Sequence, residues 1–489
     1  MRKNGLAENI SLRSVFLLPG KFIRFIFPAL LILFIFAVKN ALNRDLWFDE
    51  ALTVLHFALL ESPQEIYNSY LIPNNQIVHT VFLHWWLKFL PQLPLRLLPL
   101  MCAILSCGLI WKYFRKNTGT IPLTATLGSM MISPVFVTYA TALRGYMLAA
   151  LLVIPALKSA MDFARSGNRS DAVKYTLWSL LAVGTMPGVL AALTAAGLYA
   201  MPLGGKKFYA KLRCWLLLLL PTAAVGIFYA GNFAQLLQCA KLGEGWHSGG
   251  AMVVALGAAM VYTFLPLLPA AVTGGVSAVM RRWRRKKWQF ASRTVIWLLP
   301  VMAAAVFPTA PFPRVFFPMF PVLVLLLAGG IKELAAIAVL RKIRVTPVYI
   351  SGFMVVIAAW SALSFLPALR EKISPVASGG GQDDYIYCHY MKDEFTPAAT
   401  AAKVAEISPV ADNIPVFATF NSDPWALNYY ADRQIFFDGP RGKIAAMPEN
   451  SIAILHKKQD DAEKVAARFG MQPKVLAETP MHLIIRLEK

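Results

Sequence analysis

Several signatures are missing from this sequence, and each absence removes a class of function. Only five cysteines occur in 489 residues, with no metal-ligand spacing. Cys102, Cys107 and Cys214 sit in apolar runs as inert residues, whereas Cys239 and Cys388 would face an oxidising compartment and could pair. No Gly-rich phosphate loop is present, which disfavours a nucleotide-sugar donor. There is no repeat of solenoid period and no coiled-coil heptad. Acidic residues are scarce as well: 26 Asp and Glu stand against 48 Lys and Arg, and sixteen of the 26 follow Leu369. A formal charge of +22 would suggest nucleic acid in a soluble chain. Here the basic residues fall in short runs between apolar segments, so no nucleic-acid partner is expected.

What the chain has in abundance is apolar surface. Hydrophobic residues make up 57% of it, and the mean hydropathy is +0.53. It reads as an α-helical multi-pass membrane protein. Arg2, Lys3, Arg13, Lys21 and Arg24 precede an apolar run over 22–42. At about 20 residues the run can span ~30 Å, and with no small-residue cleavage site after it, it reads as an uncleaved signal anchor. The segment 77–90 is too short to cross and is read as interfacial. Further spans near 95–112, 119–137, 147–163, 174–185, 187–203, 212–230, 251–272, 294–309, 314–331 and 345–366 bring the total to about eleven. With 77–90 not crossing, the loops alternate between rich in positive charge (112–116, 158–174, 206–213, 281–287, 332–344) and poor (139–146, 186–188, 231–250, 311–314). Loop charge sets orientation, so the rich loops and the N-terminus are cytoplasmic and the poor loops face out. The expected organisation is a transmembrane module over 1–366, a linker over 367–382 containing Ser378-Gly379-Gly380-Gly381, and an extracytoplasmic α/β domain over 383–489. In that domain strands are expected at 414–420, 435–438, 452–456, 474–477 and 482–487. Helices are expected at 422–431, with Ser422 as N-cap, and at 460–469, closed by Gly470.

The chemistry-bearing residues gather on the charge-poor side. Asn43–Glu50 reads Asn-Arg-Asp-Leu-Trp-Phe-Asp-Glu and leaves the first apolar run directly. Two adjacent carboxylates, Asp49 and Glu50, at a membrane boundary and flanked by interfacial aromatics, carry a desolvation cost that catalysis would explain. Arg144 lies between Tyr139 and Tyr146 in one outer turn, and Arg314 stands at the head of a later span. A guanidinium there either snorkels to headgroups or donates a bidentate fork to phosphate. Acids near cations suit transfer of a group from a phosphate carrier to a hydroxyl, with a base for the incoming oxygen and cations for the departing phosphate.

The Trp-Phe-Asp-Glu acidic pair, the Pro73-Asn74-Asn75 turn followed by His79, Arg144-Gly145-Tyr146, and Arg314 with Pro318 and Pro321 together resemble the GT-C integral-membrane glycosyltransferases. The branch that the sequence resembles is the bacterial family related to protein O-mannosyltransferases and the lipid A aminoarabinose transferase. The resemblance covers about 1–366 by layout. It implies an inverting glycosyltransferase that uses a polyprenyl-phosphate sugar donor and an envelope acceptor (lipid, glycan or protein). The setting would be the outer face of a bacterial cytoplasmic membrane. Asp49 would be the base, and Glu50 would position the acceptor or a metal. Arg144 and Arg314 would hold the donor phosphate, Tyr146 would contact the donor, and Asn75, His79 and Tyr139 would line the site. Gln76 departs from the family's Asn-Asn-His, which argues against metal binding at that turn. No cofactor is required, and a divalent cation at the acidic pair stays possible. His79 has a structural reading as an interfacial histidine. His247, beside Glu244 and Trp246, reads as a substrate contact or as a plain solvated loop. Asp423-Pro424-Trp425 and Tyr429-Tyr430 suit acceptor recognition, a lid or a stabilising cap. The rival classes are a flippase for lipid-linked saccharides, which would place ionisable residues at mid-membrane, and a saccharide polymerase with a large central outer loop.

Overall fold

The computed structural model describes residues 42–69, 75–131, 134–204, 208–241, 287–306, 313–340, 395–438 and 444–489, with isolated positions from 32 to 39. Most of the expected first span, the spans near 251–272 and 345–366, His247, the linker and Cys388 lie outside these residues. Among the described residues three helices are long and apolar enough to cross a membrane: Leu97–Thr118, Tyr146–Ser166 and Val315–Glu333. Leu212–Phe228 and Ala230–Gln238, bent by 61°, make a fourth if taken together. The chain forms two compact units. One comprises 1–42, 70–79 and 92–387, and the other 43–69, 80–91 and 388–489. Where composition suggested a linear division, the contacts group the polar stretch after the first apolar run with the C-terminal residues.

The first unit is helical and is built around Tyr146–Ser166. This helix is apolar on nearly every side, the pattern of an element enclosed by others. Ala149, Ala150, Ala156 and Ala160 are fully buried in it, and small side chains of this kind let neighbouring backbones approach. Buried tyrosines tie other helices together. The Tyr175 hydroxyl donates to the Leu217 carbonyl at 2.9 Å, and that of Tyr229 to the Val183 carbonyl at 3.0 Å. Turns of like charge character pack together. Among the charge-poor ones, Thr185 lies against Gly145, Gly188 against Val315, and Tyr139 against Phe317 at 4.4 Å between ring centroids. Among the charge-rich ones, Gly167, at φ +70°, lies under the Arg213 guanidinium, and Lys332 donates to the Asn117 carbonyl at 2.8 Å.

The second unit contains a five-stranded sheet of order β2-β1-β3-β5-β4, with β1 Val416–Ala418, β2 Ile435–Phe437, β3 Ile452–His456, β4 Gln472–Glu478 and β5 His482–Glu488. Strand β1 runs parallel to β2 and β3, and β5 is antiparallel to β3 and β4. Alternation along the strands separates two buried faces. Val416, Ala418, Ile454 and Ile484 pack with Val404 and Leu427 on one, and Phe417, Leu455, Ile485 and Leu487 with Ala466 on the other. All five strands fall where the sequence places them, within a residue or two at the ends. A helix at Pro397–Ile407 is additional. The helix expected from Ser422 starts at Pro424, with Asp423 before it at φ +50°. Proline belongs at the first helical position, where its missing N–H goes unused, and this moves the start by one residue. Ser422 instead donates to the Ile454 carbonyl at 3.0 Å. The later helix is Ala462–Arg468, capped by Asp461, whose carboxylate accepts from the Glu463 and Lys464 amides.

Candidate active site

The acidic pair opens a six-residue helix, Phe48–Thr53, that passes into a single π-helical turn at Val54–Ala58. Turns of this kind are frequent at functional sites. Asp49 is 9% exposed and Glu50 fully buried. The Glu50 and Ala51 amides donate to the Trp47 carbonyl at 2.9 and 2.8 Å. One Glu50 carboxylate oxygen accepts the Trp47 amide at 3.0 Å, satisfying a donor that the helix start leaves open. Thr53 Oγ1 donates to the Asp49 carbonyl at 2.7 Å. The neighbouring carboxylates therefore differ in their surroundings: Glu50 binds back onto its own helix start, and Asp49 lies next to it at the helix's first turn. Among the described residues no group of three or more His, Cys, Asp or Glu side chains is arranged to hold a metal ion.

Arg144, in the other unit, occupies the break between the helices Pro134–Thr141 and Tyr146–Ser166 and is 3% exposed. Its turn is held from three sides. Arg96, itself buried, donates Nη1 to the Thr141 carbonyl at 2.8 Å. Gln76 accepts the Gly145 amide through its side-chain oxygen. A Cβ on Gly145 would lie 2.7 Å from Thr185 Cγ2 and 3.1 Å from His79 Cβ. Only a residue without a side chain fits this close approach. The place of Gln76, where the family pattern has histidine, thus has a local explanation: its amide oxygen ties the Asn75-Gln76 turn to the arginine turn.

His79 follows on the Ile77–Phe89 helix, whose thirteen residues are too few to cross ~30 Å of hydrocarbon. It is 1% exposed, and neither ring nitrogen has a hydrogen-bond partner among the described residues. Burial first, and the Arg144 charge second, push its pKa down to about 3. The result is a neutral imidazole beside a guanidinium. Such a pair can present donors to an anionic oxygen without bringing a second full positive charge. Tyr139 stacks edgewise on Tyr146, with centroids 5.3 Å apart, and on Phe317. Through Phe317 the Pro313–Met319 turn, which contains Arg314, joins the same cluster. Asn75 is buried in the same unit. The fold thus places the turns of Asn75, His79, Tyr139, Arg144, Tyr146 and Arg314 in one unit and Asp49 and Glu50 in the other. Sequence reasoning missed Arg96 and the tie made by Gln76. A lone arginine heading an apolar run, with no acid near it in sequence, was the available sign.

No family model and no curated protein matches the sequence. By structure, the chain shares its fold with two crystal structures of one membrane protein. The crystal structure of ArnT from Cupriavidus metallidurans in the apo state aligns over 96% of this chain and 98% of its own, with a TM-score of 0.53 and 13% identity. ArnT from the same organism bound to undecaprenyl phosphate aligns over the same shares, with a TM-score of 0.54 and 14% identity. At these identities the likeness is one of architecture.

Proposed function

We propose that this chain is an inverting glycosyltransferase that moves a sugar from a polyprenyl-phosphate carrier to a hydroxyl of an envelope acceptor at the outer face of a bacterial cytoplasmic membrane. Asp49 takes the proton of the acceptor hydroxyl, and the freed oxygen attacks the anomeric carbon. The bond from that carbon to the phosphate oxygen breaks, and the polyprenyl phosphate leaves with one more negative charge. Arg144 and Arg314 hold that phosphate, His79 donates to one of its oxygens, and Tyr146, Tyr139 and Asn75 bound the donor. Glu50 fixes the helix that presents Asp49. A divalent cation held by the acidic pair would assist the acceptor.

The observation that carries this reading is the buried pair of Arg144 and His79 at the charge-poor turns. A buried cation beside a neutral donor suits an anionic headgroup in an apolar setting. The fold shared with ArnT, whose crystal structure was obtained with undecaprenyl phosphate bound, supports the same donor class. The test is Asp49→Asn in membranes supplied with polyprenyl-phosphate sugar. Transfer should fall by roughly 10²-fold or more at normal expression, and undiminished transfer would refute the assignment.

A further inference from the structure

The stretch that carries Asp49 is too short to order itself. A six-residue helix followed by one π-helical turn lies well below the length at which a helix is stable alone. Its order must come from what packs on it, and much of that comes from the far end of the chain. The Leu46 amide donates to the Tyr430 hydroxyl at 2.7 Å across 384 positions of sequence. In return, the Asp45 carboxylate accepts the Ala398 amide at 2.8 Å across 353 positions. That amide is one of the open donors at the start of the Pro397–Ile407 helix, where Thr396 makes no side-chain cap. The two segments therefore satisfy each other's exposed backbone donors.

Rings close the arrangement on both sides of Asp49. Phe48 meets Phe420 at 5.6 Å and Trp425 at 6.5 Å, both edge to face. Trp425 also meets His56 at 4.3 Å and Phe437 at 4.7 Å. His56 sits in the π-helical turn, so the Trp425 indole touches the segment before and after the acid. Edge-to-face pairs of this kind contribute beyond their buried area and fix ring orientation.

We infer that the C-terminal domain is a positioning element for the acid-bearing segment, with Tyr430 fixing the chain that enters the helix and Trp425 fixing the two ends of the stretch around Asp49. This rests on the proposed function, in which the Asp49 carboxylate must meet the acceptor hydroxyl. A displacement on the order of 1 Å in such a group costs about 10²-fold in rate. Tyr430 and Trp425 act through Asp49 and need touch no substrate.

The test uses the full chain in lipid nanodiscs, with Tyr430→Phe, Trp425→Ala and Trp425→Phe beside the wild type. Hydrogen exchange is followed over 44–60 and over the strands at 452–456 and 482–488. Transfer is followed with a panel of radiolabelled undecaprenyl-phosphate hexoses and pentoses, using envelope membranes as acceptor. Losing one hydrogen bond should speed exchange over 44–60 about tenfold in Tyr430→Phe, and more in Trp425→Ala, while the strands stay protected. Trp425→Phe should recover most of the protection. In the loosened variants kcat should fall about tenfold with KM for the donor held within about twofold. Unchanged exchange over 44–60 overturns the inference, and so does faster exchange with undiminished kcat. A wild-type chain that transfers nothing while exchange responds as expected overturns the proposed function and leaves the clamp on the acid segment standing.

Discussion

The arginine turn and the acid turn are held by different means. Arg144 is fixed by residues of its own helical unit: Arg96 on the Thr141 carbonyl, Gln76 on the Gly145 amide, and a glycine with no room for a side chain. Asp49 is fixed by a helix cap of its own making and by partners more than 350 positions away. A cation buried in a helical bundle can be placed by rigid neighbours. A carboxylate on a helix of six residues needs an outside brace. The two halves of the proposed chemistry should therefore fail differently.

The largest difference is expected from Arg144→Gln. It should cost roughly 10²-fold or more in transfer, as loss of a group that stabilises transition-state charge does, while hydrogen exchange over 44–60 stays at the wild-type rate. Exchange that quickens there would mean that the arginine also orders the acid segment, and the contrast would fail.

Acid should loosen the brace. His482 is fully buried in β5, opposite His456 in β3. Burial, and then the neighbouring His456, lower its pKa to about 4 from the usual 6.5. Above pH 6.5 the ring is neutral in both folded and unfolded chains and adds no pH dependence. Between 6.5 and 4 the unfolded chain takes up a proton that the folded one refuses, so stability falls with pH, by about 3 kcal/mol once pH 4 is reached. Exchange over 452–456 and 482–488, corrected for intrinsic rates, should rise between pH 7 and pH 5 in the full chain. His482→Gln should flatten that rise, and a variant with the same slope as wild type would assign the pH response elsewhere.

Gly145→Ala sharpens the contrast from the other side. The added methyl meets Thr185, Gln76 and His79. Overpacking of this kind typically costs about 1–3 kcal/mol, to be read as a lower Tm in nanodiscs. Transfer should fall as well, again with no change over 44–60. An unaltered Tm would show that the turn has more slack than its neighbours suggest.

Much of this was legible in the sequence, for identifiable reasons. The acidic pair is marked by Trp47 and Phe48 beside it. The strands are marked by short apolar runs between turn residues, and the charge-poor turns by how few lysines and arginines they hold. Arg96, Gln76 and Tyr430 were not legible in these roles. Each makes its bond to a backbone group remote in sequence, and no local spacing or periodicity announces such a bond. Tyr430 stood out only as half of a tyrosine pair suited to acceptor recognition, a lid or a stabilising cap, and its hydroxyl accepts the Leu46 amide. The start of the Pro424 helix was misplaced because Ser422 has the chemistry of a cap, whereas the proline two residues later decides where the helix begins.

The bonds from Asp45 to Ala398 and from Leu46 to Tyr430 also order events during synthesis. At about 5–20 residues per second, the ribosome makes the acid segment some 20–80 s before the residues that brace it. A nascent chain therefore displays its carboxylates unanchored for that interval, and the stretch reaches its final order only when the residues around Ala398 and Tyr430 have emerged and folded.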